Sequence, residues 1–143
     1  MEAGGQIVNV VALISAAGRG TRMGGGAEKQ FMLLGGKPLL AHSVEHFQQC
    51  DAVRQVIISV APDRVAYCER EIVAGCGFSK VAAVVAGGAV RQESVYRALQ
   101  RVSPEAELVV THDGARPFLF GDVLARIIAA AGECGAAVAA VPE

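Results

Sequence analysis

The sequence has few aromatic residues and no excess of positive charge. It contains no tryptophan and only two tyrosines and five phenylalanines among 143 residues, and its formal net charge is −1. Single-stranded nucleic acids bind largely by stacking on aromatic side chains and by attraction to basic surfaces, so no nucleic-acid partner is expected. No apolar run approaches the length of a membrane span, and the first residues lack a basic signal-peptide region. We therefore expect a cytoplasmic protein with no membrane partner.

The four cysteines lack the spacing of a metal site or a disulfide framework. None of Cys50, Cys68, Cys76 and Cys134 belongs to a C-x-x-C pair, and no histidine lies at zinc-finger spacing from them. We expect buried or half-buried free thiols, as in a protein from a reducing compartment.

Apolar runs rich in β-branched residues alternate with helical patterns along the chain. The predicted strands are residues 8–14, 53–60, 80–85, 108–112 and an alanine-rich fifth segment, 136–141. The predicted helices are residues 39–49, 64–73, 91–102 and 122–131. This alternation predicts an α/β fold, namely a Rossmann-like, doubly wound and mostly parallel sheet with helices on both faces and strand order 3-2-1-4-5.

No repeat or linker divides the chain, so we expect a single nucleotide-binding α/β domain over residues 1–143. The last predicted strand is followed only by Pro142 and Glu143. We therefore expect that this domain is truncated at its C-terminus.

The segment that follows the first predicted strand, residues 15–30, combines five glycines with Arg19, Arg22 and Lys29. Glycines leave backbone N–H groups accessible, and cations complement phosphate oxygens, so the segment is typical of a polyphosphate-binding loop. It contains neither the P-loop pattern nor a complete G-x-G-x-x-G pattern. A solvated glycine turn with incidental charges remains the alternative.

The segment that follows the fourth predicted strand, residues 112–117, should lie beside the first loop, because strands 1 and 4 are neighbours in the expected order. Asp113 is placed where a carboxylate can hold a magnesium ion that bridges phosphates. The alternatives are an aspartate that caps the following turn or that pairs with Arg116. His112 is interpreted as a strand-end residue with a satisfied hydrogen bond rather than as a catalyst.

A third candidate segment, residues 86–94, leaves the third predicted strand and enters a helix. Its two glycines expose backbone groups, and Ser94 adds a hydroxyl one turn into the helix. These groups are suited to recognising the edge of a base. An ordinary glycine turn followed by a serine near a helix N-terminus is an equally open alternative.

These motifs together carry a resemblance to a known family. They occupy residues 16–24, 29–31, 36–43, 87–88, 91–95 and 112–117. In this order they resemble the cytidylyltransferases that act on sugar-alcohol phosphates, and most of all the 2-C-methyl-D-erythritol 4-phosphate cytidylyltransferases of the non-mevalonate isoprenoid pathway. The resemblance implies that CMP is transferred from CTP to the sugar-alcohol phosphate, that pyrophosphate is released, and that Mg²⁺ is the cofactor.

The resemblance also implies roles for individual residues. Arg22 and Lys29 would stabilise the charge that develops on the α-phosphate. Gly88 and Ser94 would recognise cytosine, and Asp113 would bind the metal, with Arg116 supporting its loop. The backbone that holds the triphosphate would be that of Ala16, Ala17, Gly18 and Gly20.

The chain departs from the family pattern in two places. Glu28 stands where the family has proline, beside Lys29, and its carboxylate could draw Lys29 away from phosphate or lie in solvent. The family also continues beyond residue 143 with the acceptor site and a dimerisation arm, so a homodimer is expected for the full-length members. A ribitol 5-phosphate cytidylyltransferase and a catalytically silent CTP-binding fragment are the alternatives. The resemblance favours the isoprenoid enzymes over the first alternative, because Gly114-Ala115 matches their pattern, whereas a bulkier Ser-Val pair is typical of the ribitol 5-phosphate enzymes.

Overall fold

The fold is built around a parallel β-sheet. The computed structural model describes residues 8–18, 28–119 and 121–142. The strands in chain order are β1 (Val10–Ala16), β2 (Leu33–Leu34), β3 (Lys37–Pro38), β4 (Val53–Val60), β5 (Val81–Ala86) and β6 (Leu108–Asp113). The four longer strands form one parallel sheet in the order β5-β4-β1-β6, and β2 and β3 form a short antiparallel ribbon. Counted among the longer strands alone, this is the expected order 3-2-1-4.

Helices cover both faces of the sheet, as predicted. They are α1 (Leu39–Gln48), α2 (Val65–Tyr67), α3 (Arg91–Leu99) and α4 (Gly121–Cys134), with 3-10 turns at Lys29–Phe31 and Pro62–Arg64. The predicted helix at 64–73 is composite, since a π-helical stretch, Cys68–Ala74, continues α2. No helix in the described part of the chain is long and apolar enough to cross a membrane.

The side chains of β1 alternate between two core layers, which explains why this strand is apolar throughout. Val10, Ala12 and Ile14 pack in the larger layer with α1 and α4, whereas Val11 and Leu13 pack in a smaller layer under α3. Leu40, Val44 and Phe47 of α1 are fully buried in the larger layer. Burial on both faces places β1 at the centre of the molecule, so the loop that leaves it starts from a rigid base.

The apolar spacing in the predicted helix at 91–102 places Val95, Ala98, Leu99 and Val102 on one buried stripe, and the contact face of α3 differs from this prediction in part. Ala98 and Val95 pack toward the sheet as expected, but Leu99 is 46% exposed and the buried Ser94 takes a place on the inner face. The helix is therefore rotated toward the cleft side relative to the apolar pattern. Ser94 lies on the buried face in spite of its polarity, because its hydroxyl forms a hydrogen bond with the Gly88 N–H of the adjoining loop.

The predicted fifth strand does not form. Residues 136–141 have no regular secondary structure, and Val138 is 88% exposed. Alanine has a low strand propensity, and this segment packs no apolar face that would compensate for it. Within the described residues β6 is paired on one side only, with β1.

The cysteines are free, but only two of them are shielded from solvent. Cys68 is buried, and burial raises the pKa of its thiol to about 12. Cys50 is half-buried, whereas Cys76 and Cys134 are exposed, so the expectation of buried thiols is wrong for the last two. Cys76 lies in the helical turn that follows the π-helical stretch and Cys134 at the end of α4, and the core covers neither of them.

Candidate active site

The three loops singled out in the sequence meet at the carboxyl ends of the parallel strands. Between them lies a cleft of about 250 Å³. Its lining consists of Ser15, Ala16, Ala17, Gly18, Gln30, Gly88, Ala89, Val90, Arg91, Ser94, Asp113 and Ala115. The pairing of Ser15 with Asp113 across β1 and β6 produces this convergence, as expected for adjacent parallel strands.

Six of the predicted site residues line this cleft, namely Ala16, Ala17, Gly18, Gly88, Ser94 and Asp113. Lys29 and Arg116 are not among the lining residues. Gly20 and Arg22 lie outside the described residues, so their predicted roles remain predictions.

The loop after β1 is held by a buried glutamine. Gln30 is only 5% exposed, and its Nε2 donates hydrogen bonds to the carbonyl oxygens of Ala16 at 2.8 Å and Gly18 at 2.7 Å. One side-chain amide therefore satisfies two backbone acceptors where the strand ends. Gln30 lies within the motif at residues 29–31, but its role could not be predicted from the local sequence, because its partners lie 12 and 14 residues away.

Glu28 neither draws Lys29 away nor lies in solvent. Its side chain is only 8% exposed and accepts a hydrogen bond from Arg64 Nε at 2.8 Å. The Arg64 guanidinium also lies over the rings of Phe31 and Tyr67, at 5.8 and 5.7 Å from their centroids. The exposed Lys29 forms no ion pair with Glu28, although the structure describes both residues. The carboxylate thus anchors the segment that carries Lys29.

The loop after β5 approaches the β1 loop so closely that it requires glycine. A Cβ placed on Gly87 would lie 2.4 Å from the Cβ of Ala17, well inside van der Waals contact. The Gly87 N–H donates to the carbonyl oxygen of Val60 at 2.7 Å. The two walls of the cleft are therefore in direct contact at Gly87 and Ala17.

Ser94 has a structural role within this loop. Its buried hydroxyl accepts a hydrogen bond from the Gly88 N–H at 3.0 Å and lies 3.3 Å from the carbonyl oxygen of Val90, to which it donates. The alternative of a serine that stabilises a glycine turn is thus realised in the structure. Both residues still line the cleft, so base recognition remains a prediction that must coexist with this bond.

Asp113 caps the turn that follows β6. Its Oδ1 accepts the Ala115 N–H at 3.0 Å, and its Oδ2 lies 3.8 Å from Arg116 Nε, so both alternatives for this residue occur. The side chain remains 38% exposed and lines the cleft. No cluster of three metal-binding side chains occurs in the part of the chain that the structure describes. A single carboxylate nevertheless fits magnesium, which is commonly held by one or two carboxylates together with phosphate oxygens and water.

A serine of α1 holds the loop that follows β6 through hydrogen bonds to its backbone. The Ser43 hydroxyl lies 2.8 Å from the Gly114 carbonyl oxygen and 3.0 Å from that of Arg116. His112 Nε2 donates to the same Arg116 oxygen at 2.9 Å, which fits its interpretation as a strand-end residue with a satisfied hydrogen bond. Burial lowers the pKa of His112, so the neutral ring is favoured.

Arg91 is a further residue of the cleft, and no role was predicted for it from the sequence. It is the first residue of α3, is exposed, lines the cleft and forms no hydrogen bond or ion pair within the described residues. A guanidinium in this position can approach a bound anion. Its position in the motif at residues 91–95 was the sequence signal that could have indicated a role in the site.

A larger groove of about 630 Å³ runs along β6 and α4, away from these loops. It is lined mostly by aliphatic side chains, among them Val109, Leu124 and Ile127. Of the predicted site residues it contains Arg116 alone. Size therefore favours this groove, but the convergence of backbone amides, a carboxylate and a free arginine favours the smaller cleft as the functional site.

A parallel sheet with helices on both faces and a polar cleft at the carboxyl ends of its central strands defines a Rossmann-like α/β domain, a class that binds its ligands at this edge of the sheet. The family model of 2-C-methyl-D-erythritol 4-phosphate cytidylyltransferase (IspD) matches residues 10–143, and the chain belongs to this family. This membership confirms the resemblance drawn from the motifs.

Curated relatives and solved structures agree with this assignment. The chain is 47% identical over 136 residues to the bifunctional enzyme IspD/IspF of Desulforudis audaxviator, covering 95% of this chain and 34% of that protein. It is 43% identical to the 2-C-methyl-D-erythritol 4-phosphate cytidylyltransferase of Geobacter metallireducens, covering 93% of this chain and 59% of the relative.

A crystal structure of a 4-diphosphocytidyl-2C-methyl-D-erythritol synthase superposes with a TM-score of 0.70 at 26% identity, over 89% of this chain and 56% of the other. A synthase from Anaerococcus prevotii shares the fold with a TM-score of 0.73 at 24% identity, over 87% and 51% of the two chains. The present chain thus spans between a third and three fifths of the length of these relatives.

Proposed function

We propose that this chain binds CTP in the 250 Å³ cleft and supplies the nucleotide half of a cytidylyltransferase site. The single observation that carries this proposal is the meeting of six residues predicted from the sequence, from three separate loops, in one cleft. The family assignment supports CTP as the nucleotide and 2-C-methyl-D-erythritol 4-phosphate as the acceptor.

In the proposed reaction, a phosphate oxygen of the acceptor attacks the α-phosphorus of CTP. A new P–O bond forms, the bond between the α- and β-phosphates breaks, and pyrophosphate leaves with the electron pair. Negative charge builds on the α-phosphate oxygens during this displacement. Catalysis therefore consists mainly of positioning and of placing positive charge beside those oxygens.

The residues of this chain would divide that work. The backbone of Ala16 to Gly20 would hold the triphosphate, and Arg22 and Lys29 would stabilise the developing charge. Gly88 and Ser94 would face cytosine. Asp113, supported by Arg116, would hold a magnesium ion, which would neutralise phosphate charge when bound.

Packing at Gly114 supports the methylerythritol-type acceptor over ribitol 5-phosphate. A Cβ at this position would lie 2.9 Å from the Cβ of Ala16 and equally close to Cδ1 of Leu40. The Gly-Ala pair at 114–115, typical of the former enzymes, therefore fits this loop better than the bulkier Ser-Val pair of the latter. We expect the longer members of the family to form homodimers. We also propose that the present protein is located in the cytoplasm.

Calorimetric titration with nucleotides in the presence of Mg²⁺ tests the proposal. We expect this chain to bind CTP more tightly than ATP, and Asp113→Asn to weaken the dependence of CTP binding on Mg²⁺. Equal affinity for the two nucleotides would contradict the cytosine assignment. Release of pyrophosphate on adding 2-C-methyl-D-erythritol 4-phosphate would separate an active enzyme from a silent CTP-binding fragment.

A further inference from the structure

Two charged residues of α3, Glu93 and Arg97, form hydrogen bonds to the loop that leaves β5. This loop is here called the β5–α3 loop (residues 87–90). Glu93 Oε1 accepts a hydrogen bond from Arg97 Nη2 at 2.7 Å, one helical turn away. The other carboxylate oxygen, Oε2, accepts the Ala89 N–H at 2.8 Å. Arg97 Nη1 donates to the Gly87 carbonyl oxygen at 3.1 Å. The pair therefore contacts the backbone at two points of the same loop.

Three of the four backbone N–H groups of the loop donate to acceptors within the protein. The Gly87 N–H donates to Val60 O at 2.7 Å, the Gly88 N–H to Ser94 Oγ at 3.0 Å, and the Ala89 N–H to Glu93. In contrast, the carbonyl oxygens of Gly88 and Ala89 accept no hydrogen bond from any described residue. Since Gly88 and Ala89 line the cleft, the backbone at these two residues offers acceptors to a ligand and keeps its donors within the protein, whereas the N–H of Val90 donates to no acceptor among the described residues.

This distribution discriminates between pyrimidines. Cytosine carries an exocyclic amine that donates hydrogen bonds, whereas uracil carries a carbonyl oxygen at the same ring position. A free acceptor on the wall pairs with the amine but faces the uracil oxygen unfavourably, and unpaired buried polar groups are costly.

We propose that Glu93 and Arg97 are positioning residues that keep the backbone of Gly88 and Ala89 in this acceptor-only state and thereby favour an amino-bearing pyrimidine nucleotide over a uracil nucleotide. Glu93 withdraws the Ala89 N–H from the cleft, and Arg97 holds both the Glu93 carboxylate and the Gly87 carbonyl in place. This inference rests on the proposed function, because it specifies how the proposed CTP cleft rejects UTP.

Substitution of Glu93 tests the discrimination. Glu93→Ala releases the Ala89 N–H, which can then donate to the uracil oxygen. We expect the ratio of CTP to UTP affinity, measured by calorimetry with Mg²⁺, to fall about threefold to tenfold, the range for one hydrogen bond. Arg97→Ala should lower the ratio less, and Glu93→Gln, which keeps an acceptor oxygen for Ala89, should retain most of it.

The matched control is Glu71→Ala. Glu71 is also an exposed glutamate in an ion pair with an arginine, Arg70 Nε at 2.9 Å, but it lies on the π-helical stretch and does not line the cleft. We expect this variant to leave the affinity ratio unchanged. A fall in the ratio equal to that of Glu93→Ala would overturn the proposal, because it would reflect a general effect of lost surface charge.

A second measurement needs no nucleotide. Hydrogen exchange of the Ala89 amide, followed by NMR, should be faster in Glu93→Ala than in the wild type and unchanged in Glu71→Ala. Unchanged exchange in Glu93→Ala would overturn the positioning role, and faster exchange with an unchanged CTP to UTP ratio would overturn the specificity role. If the wild-type chain bound neither nucleotide, the proposed function would be wrong and the specificity role with it, while the exchange rates would still decide the positioning role.

Discussion

The loop after β1 and the loop after β5 form opposite walls of one cleft, but they are held by different chemistry. Gln30, a neutral and almost fully buried amide, holds the β1 loop through two backbone carbonyls. The β5–α3 loop is held by the buried Ser94 hydroxyl and by Glu93 and Arg97, whose side chains are about two fifths exposed. The first wall should therefore respond to loss of packing and the second to pH and salt.

The two walls also differ in what they offer a ligand. The glycine-rich sequence that follows β1 is typical of a phosphate-binding loop, and it carries the cations Arg22 and Lys29. The β5–α3 loop contributes free carbonyl oxygens and no described free N–H between Gly87 and Ala89. Under the proposed function, the first wall would therefore face the charged end of the nucleotide and the second wall would face the base.

The largest expected effect comes from removing the buried amide of the first wall. Gln30→Met keeps the side-chain volume but leaves the carbonyl oxygens of Ala16 and Gly18 without their donor. We expect the free energy of unfolding, measured with urea, to fall by about 2–3 kcal/mol, since buried acceptors would lose their hydrogen bonds. CTP affinity should fall as well, because the loop would lose its anchor.

Gln100→Met serves as the control for that substitution. Gln100 is exposed and directly follows α3, so the same chemical change should alter the unfolding free energy little. If Gln30→Met were as mild as Gln100→Met, the β1 loop would not depend on a buried anchor, and the contrast between the two walls would disappear.

A smaller effect is expected where the two walls touch. Gly87→Ala places a methyl group 2.4 Å from the Ala17 Cβ, so one wall must move. We expect the unfolding free energy to fall by about 1–2 kcal/mol, as for overpacking at a site that can partly relax. CTP affinity should decrease together with stability, since the displaced loops both line the cleft.

Gly132→Ala is the control, and we expect the same chemical change at this position to raise the free energy of unfolding instead of lowering it. Gly132 lies within α4 with no atom within 4 Å of an added Cβ, and alanine is favoured over glycine in a helix. This control should raise the unfolding free energy by about 0.5–1 kcal/mol. A stabilising effect of Gly87→Ala as well would show that the walls are not in firm contact.

Much of the framework follows from local sequence patterns, whereas several anchors of the site do not. The runs of β-branched residues placed the four parallel strands to within two residues, and the topology of a parallel sheet placed Asp113 beside the β1 loop. Gln30 bonds to residues 12 and 14 positions away, and Glu28 pairs with Arg64 across 36 positions. Such partners are set by tertiary packing, and no local propensity encodes them.

Two incorrect predictions have the same physical origin. An alanine-rich segment such as 136–141 forms a strand only if a neighbouring layer buries it, and no such layer covers it here. Leu99 fits the helical stripe by spacing, but α3 turns Ser94 inward, where its hydroxyl bonds to the Gly88 N–H. In both places a tertiary contact, or its absence, decided the outcome over the apolar pattern.

The smallest expected effect is a pH response confined to the second wall. Hydrogen bonds from the Ala89 N–H and from Arg97 lower the pKa of Glu93 below its ordinary value of 4.5. Because the pKa is lower in the folded protein, the contribution of this carboxylate is complete above the ordinary value and is lost as pH falls through the folded value. The Ala89 amide resonance should therefore shift as pH falls below 4.5, and it should not do so in Glu93→Gln.

The Gln30 side-chain amide does not titrate, so its resonances should stay constant over the same range in both proteins. A flat Ala89 titration in the wild type would mean that the Glu93 carboxylate does not hold this wall, and a parallel shift of Gln30 would mean that the two walls respond as one unit.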